Sequence, residues 1–227
     1  MIGPELEFVG QTGVLYEGQE YTFFGGNDYH RFSRHPEVVA ALAEAVQRYG
    51  INCAGSRITT ANHPLYLELE AKVAAFLGAE AAAVVSAGYL SATVLMQAVA
   101  AQYDVLFLDE IAHACLVDAA YQSGKRILRF RHRDCVQLKW RMEQTLPTGQ
   151  KPLLLTDGVF ASTGALAPLQ EYVALMEAYG GKVLVDDAHG VGVLGLTGKG
   201  TWEEAGIGRD AILQSGTLSK GLGGFGG

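Results

Sequence analysis

The sequence predicts an α/β fold built on a mostly parallel sheet. After residue 80, short apolar segments alternate with segments of helical periodicity, in units short enough for the crossovers of a parallel sheet. The strand-like segments lie near residues 82–86, 105–109, 127–130, 153–157, 183–187 and 211–215. The helical segments between them lie near residues 91–101, 114–123, 135–146 and 169–179.

The composition indicates a globular chain without a nucleic-acid partner. Of its 227 residues, 49% are hydrophobic, which is enough for one large domain or for one domain with an appendage. The 17 Lys and Arg residues against 24 Asp and Glu residues leave a net charge of -7, and the longest basic run covers only residues 129–133. Such a chain lacks the positive surface that a phosphate backbone requires.

Cysteine and histidine spacing argues against disulfides and metal. Cys53, Cys115 and Cys135 are odd in number and far apart, which is typical of free thiols in the core of a protein from a reducing compartment. The six histidines show no metal-ligand spacing, so no metal is expected.

No segment is interpreted as crossing a membrane. Residues 81–103 are uncharged and long enough to span one, but the turn-like residues 86–91 divide them into a strand, a turn and a helix. The N-terminus lacks a cationic segment followed by an apolar one. We therefore expect a soluble, cytoplasmic protein with no membrane partner.

The first 50 residues predict an arm and a helix. Residues 13–16 and 21–24 flank a turn-like segment, the pattern of a hairpin that packs against a partner or a second domain. Pro36 suits the first position of an amphipathic helix that Gly50 ends, and a second helix covers Pro64–Leu77. We predict an arm with its helix over residues 1–50 and a large domain over residues 51–227.

Two polar positions in this part of the chain have open roles. Asn27 follows two glycines, where it could cap the next segment or touch a ligand, and sequence physics alone favours the cap. Arg57 ends a Gly-Ser-Arg turn and is either a surface charge or the partner of a phosphate or carboxylate.

Three chemically reactive side chains follow neighbouring strands. Asp186 and His189 end one apolar strand and Lys220 follows the next, so all three are expected at the carboxyl edge of the sheet, where ligands bind. Taken singly, Asp186 could be a cap and Lys220 a solvated loop residue. Together, with Thr217 and Ser219 as possible phosphate ligands, they favour pyridoxal phosphate, which lysine holds as a Schiff base while a carboxylate keeps the pyridine nitrogen protonated.

Two earlier turns fit the same cofactor. Gly88 and Tyr89 open a helix directly after a predicted strand, and helix N-termini attract phosphate. This signal is weak alone, because many strand-to-helix turns contain glycine. His113 follows the next strand, where it could lie over an aromatic cofactor or could bond to the backbone.

These motifs resemble the α-oxoamine synthases, pyridoxal-phosphate enzymes of the 8-amino-7-oxononanoate synthase and 2-amino-3-ketobutyrate CoA ligase type. The resemblance covers nearly the whole chain, and its two longest motifs are the most specific. The matching segments are Asn27-Asp-Tyr, Gly55-Ser-Arg, His113-Ala, Ala167-Pro-Leu169, Val185-Asp-Asp-Ala-His-Gly190 and Gly216-Thr-Leu-Ser-Lys220.

The resemblance implies catalytic roles for four residues. Lys220 matches the Schiff-base lysine and Asp186 matches the partner of the pyridine nitrogen. His189 matches the group that bonds the ring hydroxyl, and His113 matches the imidazole stacked on the ring.

It also implies binding roles. Gly88 and Tyr89 match the phosphate turn, Thr217 matches a hydroxyl at the phosphate, and Asn27 falls where the family contacts substrate. The chain departs from the family pattern at Asp157, where a glutamate is usual, and at Ala161, where a serine is usual.

The implied fold is the large domain of a fold type I pyridoxal-phosphate enzyme, like that of aspartate aminotransferase. The implied reaction joins an amino acid to an acyl-CoA with loss of carbon dioxide, in a homodimer when the protein is full length. Family members continue well beyond the lysine, so we expect an N-terminal fragment or a truncated product without the C-terminal domain. The alternatives are an aminotransferase of the same fold, or a truncated, non-catalytic chain that serves as an oligomerisation partner.

Overall fold

The computed structural model describes residues 3–227 and begins with an arm of three antiparallel strands. They are β1 (Glu7–Val9), β2 (Gly13–Tyr16) and β3 (Gln19–Thr22). The predicted hairpin is present, but its second strand begins at Gln19 rather than at residue 21. Glu17 and Gly18 have φ of 50° and 78°, and two residues of positive φ suffice to turn a hairpin.

Two helices follow the arm. Helices α1 (Pro36–Tyr49) and α2 (Pro64–Leu77) lie where the sequence predicts them. Each begins at a proline, whose missing N–H is harmless in the first turn, and stops at a glycine, Gly50 or Gly78, with positive φ. No residue of α1 is buried, so its apolar face is not covered by the described part of this chain.

Five parallel strands form the second sheet, which confirms the predicted α/β fold. Their order in the sheet is β5-β4-β6-β7-β8. The strands are β4 (Val105–Asp109), β5 (Arg126–Phe130), β6 (Pro152–Asp157), β7 (Lys182–Asp186) and β8 (Ile212–Ser215). The helices between them are α3 (Gly88–Val99), α4 (Ala114–Gln122), α5 (Cys135–Thr145), α6 (Leu169–Glu177) and the short α7 (Thr201–Glu204).

Helices cover both faces of this sheet. Along β4, Phe107 packs with α5 and α6 in one core, while Leu106 and Leu108 pack with α3 and α4 in the other. Every residue of β4 and β6 is buried. Strands that are buried on both faces are typical of a parallel sheet between two helical layers.

The expected strand at residues 82–86 is absent, which corrects the sequence prediction. Only Val85 in this segment makes a ladder-like contact, since its N–H donates to Gly227 O at 2.7 Å and its carbonyl accepts from Gly227 N at 3.0 Å. A strand needs a partner along its length. The segment is therefore extended but pairs backbone to backbone only at Val85.

The expectation of core thiols is only partly correct. All three cysteines are free, but Cys115 alone is buried, while Cys135 is half-buried and Cys53 is exposed. Cys53 lies in the loop between α1 and α2.

The uncharged stretch at residues 81–103 is divided between an extended segment, α3 and a short 3₁₀ turn. Across residues 3–227, no helix combines the length and the apolar character needed to cross a membrane.

Candidate active site

The carboxyl ends of β6, β7 and β8 lie side by side and open into a polar pocket of about 130 Å³. Parallel pairing places Asp157 opposite Asp186, and Asp186 opposite Ser215. The pocket contains every predicted site residue except Asn27. Its lining residues are Gly88, Tyr89, His113, Cys115, Asp157, Asp186, Ala188, His189, Thr217, Ser219 and Lys220.

The amine of Lys220 faces an imidazole. Its Nζ lies 2.9 Å from His189 Nε2, and Lys220 is half-buried rather than in a solvated loop. Burial lowers the pKa of Lys220, because the charged ammonium loses hydration. Burial, and then the charge of Lys220, lower the pKa of His189. Both shifts favour neutral, nucleophilic or proton-accepting forms of these groups.

A residue of the N-terminal arm completes this contact. Tyr29 Oη lies 2.6 Å from His189 Nδ1, so the imidazole is held from both ring nitrogens. The arm therefore reaches the pocket, although through Tyr29 and not through the predicted Asn27, which is exposed and outside the pocket lining.

Asp186 is nearly buried, with 7% of its surface exposed, and both of its oxygens accept hydrogen bonds. Oδ1 accepts from Ala188 N at 3.1 Å, and Oδ2 accepts from Cys115 Sγ at 2.9 Å. The first contact is the local turn considered in the sequence analysis, and the second points the carboxylate into the pocket. Asp186 thus stabilises the local turn and also lines the pocket.

His113 has a similar double position. It is the N-cap of α4, where its Nδ1 accepts from Cys115 N at 3.3 Å, and its exposed ring lines the pocket. The ring edge of Tyr89 lies against it, with centroids 6.0 Å apart. The backbone contact expected as an alternative is present and does not remove the ring from the pocket.

Asp157 is a second carboxylate in the pocket, with only 4% of its surface exposed. Its Oδ2 accepts from the backbone N–H of His113 at 2.8 Å. Burial, and more weakly the charges of Asp186 and Asp109, raise the pKa of Asp157 to about 7. Asp157 can therefore exchange a proton near neutral pH.

The far end of the pocket is built by a helix N-terminus and a hydroxyl. A Cβ added at Gly88 would come within 2.5 Å of Thr217 Oγ1 and 2.7 Å of its Cβ, so the start of α3 approaches Thr217 only because residue 88 is glycine. Thr217 Oγ1 also lies 2.7 Å from Ser219 Oγ. The first amides of a helix and two hydroxyls form a cradle suited to an anion.

These residues fit pyridoxal phosphate. A half-buried amine, a buried carboxylate and an anion cradle converge on one pocket. These groups suit the aldehyde, the pyridinium nitrogen and the phosphate of the cofactor, in that order. The glycine at position 88 lets the first amides of α3 lie against the Thr217 hydroxyl.

Arg57 is directed elsewhere. Its guanidinium makes a bidentate ion pair with Glu70, with N–O distances of 2.6 and 2.9 Å, and it lies outside the pocket lining. The hydrogen bonds from Arg57 and from Val84 N lower the pKa of Glu70 to about 2. The carboxylate considered as a partner of Arg57 is thus supplied by the chain itself.

Sequence reasoning missed Cys115 and Asp157 in the pocket and Tyr29 beside it. Tyr29 gave no spacing signal, because 160 residues separate it from His189. Cys115 stands two residues after His113 and contacts its ring nitrogen, Nδ1, at 3.0 Å. Asp157 was noted only as a departure from a family pattern, although it ends a buried strand as Asp186 does.

Known proteins resemble this chain over almost its whole length. The 8-amino-7-oxononanoate synthase of Geotalea daltonii is 38% identical and covers 94% of this chain and 54% of its own length. The enzyme of the same name from Maricaulis maris is 40% identical, with coverage of 98% and 57%. The chain therefore spans about half the length of these curated relatives.

Solved structures also resemble this chain over almost its whole length. The serine palmitoyltransferase of Sphingomonas wittichii superposes with a TM-score of 0.90 at 32% identity, covering 96% of this chain and 54% of its own. A serine palmitoyltransferase from S. paucimobilis, solved with a bound PLP–myriocin aldimine, gives a TM-score of 0.88 at 30% identity, with coverage of 97% and 57%.

The expected fold and resemblance are confirmed. Residues 20–227 match the family described as aminotransferase class I and II. The parallel sheet and the solved relatives identify the fold as type I among pyridoxal-phosphate enzymes. The chain belongs to the aminotransferase class I and II family, and the α-oxoamine synthases that it resembles use pyridoxal 5'-phosphate.

Proposed function

We propose that the whole protein is a pyridoxal-phosphate-dependent C-acyltransferase, which condenses an amino acid with an acyl-CoA and releases carbon dioxide, as an 8-amino-7-oxononanoate synthase does. The single observation that carries the proposal is the convergence of Lys220, Asp186 and His113 on one pocket at the strand ends. The names of the relatives support the reaction class. The proposal extends to a homodimer.

Pyridoxal phosphate, when bound, withdraws electrons from the Cα of an attached amino acid. Lys220 would bind the aldehyde carbon covalently through Nζ. The same amine would carry protons to and from the Cα of the amino acid. Burial lowers the pKa of Lys220, which favours the neutral amine. The contact with His189, at 2.9 Å, orients the amine.

Asp186 would hold the proton of the pyridine nitrogen. The Cys115 thiol and the Ala188 amide fix the direction of its two oxygens, so the carboxylate does not have to reorganise when charge develops. His113 would form one wall against the ring, and the cradle at Gly88 and Thr217 would bind the phosphate through amides and a hydroxyl.

Covalent labelling tests the role of Lys220. Borohydride reduction of the protein with pyridoxal phosphate, followed by peptide mapping, should leave a pyridoxyl group on Lys220. Lys182 and Lys199 serve as internal controls, since Lys182 Nζ donates to Asp210 O and neither residue lines the pocket. A label on either of these two lysines instead would refute the assignment.

The reaction class needs a second measurement. The whole protein with pyridoxal phosphate, alanine and an acyl-CoA should release CoA and carbon dioxide in equal amounts. The alternative is an aminotransferase, the activity for which the family is named. An aminotransferase would instead convert the amino acid to a keto acid without consuming the thioester. A protein that takes up the label but does neither would be a non-catalytic partner.

A further inference from the structure

A second ligand set lies within the same pocket. His113, Cys115 and Asp186 each offer one atom, and these three atoms all lie within 4.8 Å of one another. Nδ1 of His113 is 3.0 Å from Cys115 Sγ, which is 2.9 Å from Asp186 Oδ2. Nitrogen, sulfur and oxygen donors of this kind are those that Zn²⁺ binds in proteins.

The spacing is close to that of a zinc site. With Zn–S near 2.3 Å and Zn–N or Zn–O near 2.0–2.1 Å, the ligand atoms of a tetrahedral site stand roughly 3.3–3.7 Å apart. The observed contacts need to open by only about half an ångström to admit the ion. His113 is exposed and can adjust its ring, while Cys115 and Asp186 are held by α4 and β7.

The charges around the three atoms favour a dication. The carboxyl groups of Asp186 and Asp157 both line the pocket, and the amine that faces them, Lys220, has a pKa that burial lowers, which reduces its opposing positive charge. A thiolate formed at Cys115 would add a third negative charge, and its proton would leave to solvent as the metal–sulfur bond forms. No oxidant or reductant is involved, and the fourth coordination position is open to water.

We propose that the cofactor-free protein binds one soft divalent cation of the Zn²⁺ type through His113, Cys115 and Asp186, and that this ion and pyridoxal phosphate exclude each other. The exclusion rests on the proposed function, because that function assigns Asp186 and His113 to the cofactor ring. The metal site itself does not rest on the proposed function. The consequence is a protein whose cofactor loading depends on free zinc.

Cobalt is the probe for the metal site, because thiolate ligation of Co²⁺ gives a near-ultraviolet charge-transfer band. The protein, freed of cofactor, should bind one equivalent of Co²⁺ with this band, and excess Zn²⁺ should remove it. Cys115→Ser should abolish the band, while Cys135→Ser, a change at a half-buried thiol outside the pocket, should keep it. A band that survives in Cys115→Ser would overturn the proposal.

A second variant guards against a folding artefact. His113→Asn changes an exposed side chain and keeps a residue that can cap α4. We expect it to retain the far-ultraviolet circular dichroism of the parent and to bind Co²⁺ at least about tenfold more weakly, since losing even an outer-shell partner costs that much. Unchanged Co²⁺ affinity would contradict the ligand assignment.

Competition separates this inference from the proposed function. Pyridoxal phosphate added to the Co²⁺ form should release one equivalent of metal, detected with a metal-indicator dye, as borohydride-trappable label appears on Lys220. Label without any charge-transfer band in the cofactor-free protein would refute the metal site and leave the proposed function standing. The band without label would refute the proposed function alone, and simultaneous full occupancy by both ligands would refute their exclusion.

Discussion

Tyr29 Oη and His189 Nδ1 lie 2.6 Å apart, although one belongs to the N-terminal arm and the other follows β7. On its other side, His189 Nε2 contacts Lys220 Nζ. The arm therefore holds, through Tyr29, the imidazole that orients the reactive amine.

Tyr29→Phe should weaken cofactor binding modestly. The change deletes one hydrogen bond to His189, which is worth about 0.5–1.5 kcal/mol, so the Kd for pyridoxal phosphate should rise roughly two- to tenfold. Fluorescence titration with the cofactor measures the shift. Tyr21→Phe is the matched control, because Tyr21 Oη bonds to Gln19 within the arm. Equal effects of the two changes would show that the Tyr29 hydroxyl does not support cofactor binding.

Asp186→Asn should keep the fold and lose the chemistry. Asparagine can still accept the hydrogen bond from Ala188 through its one oxygen, and its NH2 group can face the Cys115 sulfur as a donor, but it carries no charge to stabilise a protonated pyridine. We expect exchange of the amino-acid Cα proton, followed by NMR in deuterated buffer, to slow by about 10²–10³-fold. Asp210→Asn, at an exposed carboxylate, should exchange at the parental rate. Parental exchange in Asp186→Asn would remove Asp186 from the mechanism.

Gly88→Ala should close the anion cradle. The added methyl group would lie 2.5 Å from Thr217 Oγ1, so the start of α3 or Thr217 must move, at a cost of about 1–3 kcal/mol. Affinity for inorganic phosphate and for pyridoxal phosphate should fall together. Gly208→Ala is the control, because a Cβ there meets no atom within 4 Å. Loss of affinity for only one of the two anions would contradict a shared cradle.

Asp157 should make stability depend on pH. Burial raises its pKa to about 7, against an ordinary value of 3.8, so between these pH values the folded chain holds a proton that the unfolded chain has lost. Stability from this group is therefore present at low pH and declines as the pH rises from about 4 to 7. At about 1.4 kcal/mol per pH unit, the penalty at pH 8 is at most about 4 kcal/mol.

Asp157→Asn tests this linkage in the cofactor-free protein. Asparagine keeps an acceptor for the His113 amide and cannot ionise, so the variant should gain stability relative to the parent as the pH rises from 5 to 8. Urea unfolding at each pH gives the difference. Asp187, whose pKa burial raises to about 6, contributes to both proteins and cancels in the comparison. A constant difference across this pH range would rule out the titration of Asp157.

The positions of β6 and β7 were predictable because their interiors are continuous apolar runs that stop at a carboxylate. The pocket followed from them, since parallel strands deliver their last residues to one edge. Tyr29 was not predictable in this way. Its contact with His189 joins residues 160 positions apart, and no local pattern encodes such a contact.

The strand that was predicted at residues 82–86 is absent for a different reason. Its composition favours a strand, but its backbone hydrogen bonds depend on a neighbour distant in sequence, and Val85 and Gly227 alone supply such a pair. Intrinsic preference is overridden when partners are lacking. Arg57 does have a partner, because Glu70 lies in the next helix, α2. This ion pair decides between the two roles that the sequence left open for Arg57.

Helix α1 carries an uncovered apolar stripe. Val39, Leu42 and Val46 recur at helical spacing, yet 50%, 66% and 43% of their surfaces are exposed. Each buried leucine or valine is worth about 1.5–3 kcal/mol, and a contiguous apolar patch of this kind marks an interface. We expect a second copy of the chain to cover it, in line with the proposed homodimer.

Leu42→Glu tests this expectation, because a carboxylate at the centre of the stripe cannot be buried without a cationic partner. We expect sedimentation velocity to show a shift toward monomer with a circular-dichroism spectrum like that of the parent, since Leu42 is mostly exposed and its loss leaves the cores intact. Ala40→Glu adds the same charge to the opposite side of α1, at an exposed position, and should leave the association unchanged. If both variants associate as the parent does, the stripe does not form the interface; if both dissociate, added charge rather than the apolar contact controls assembly.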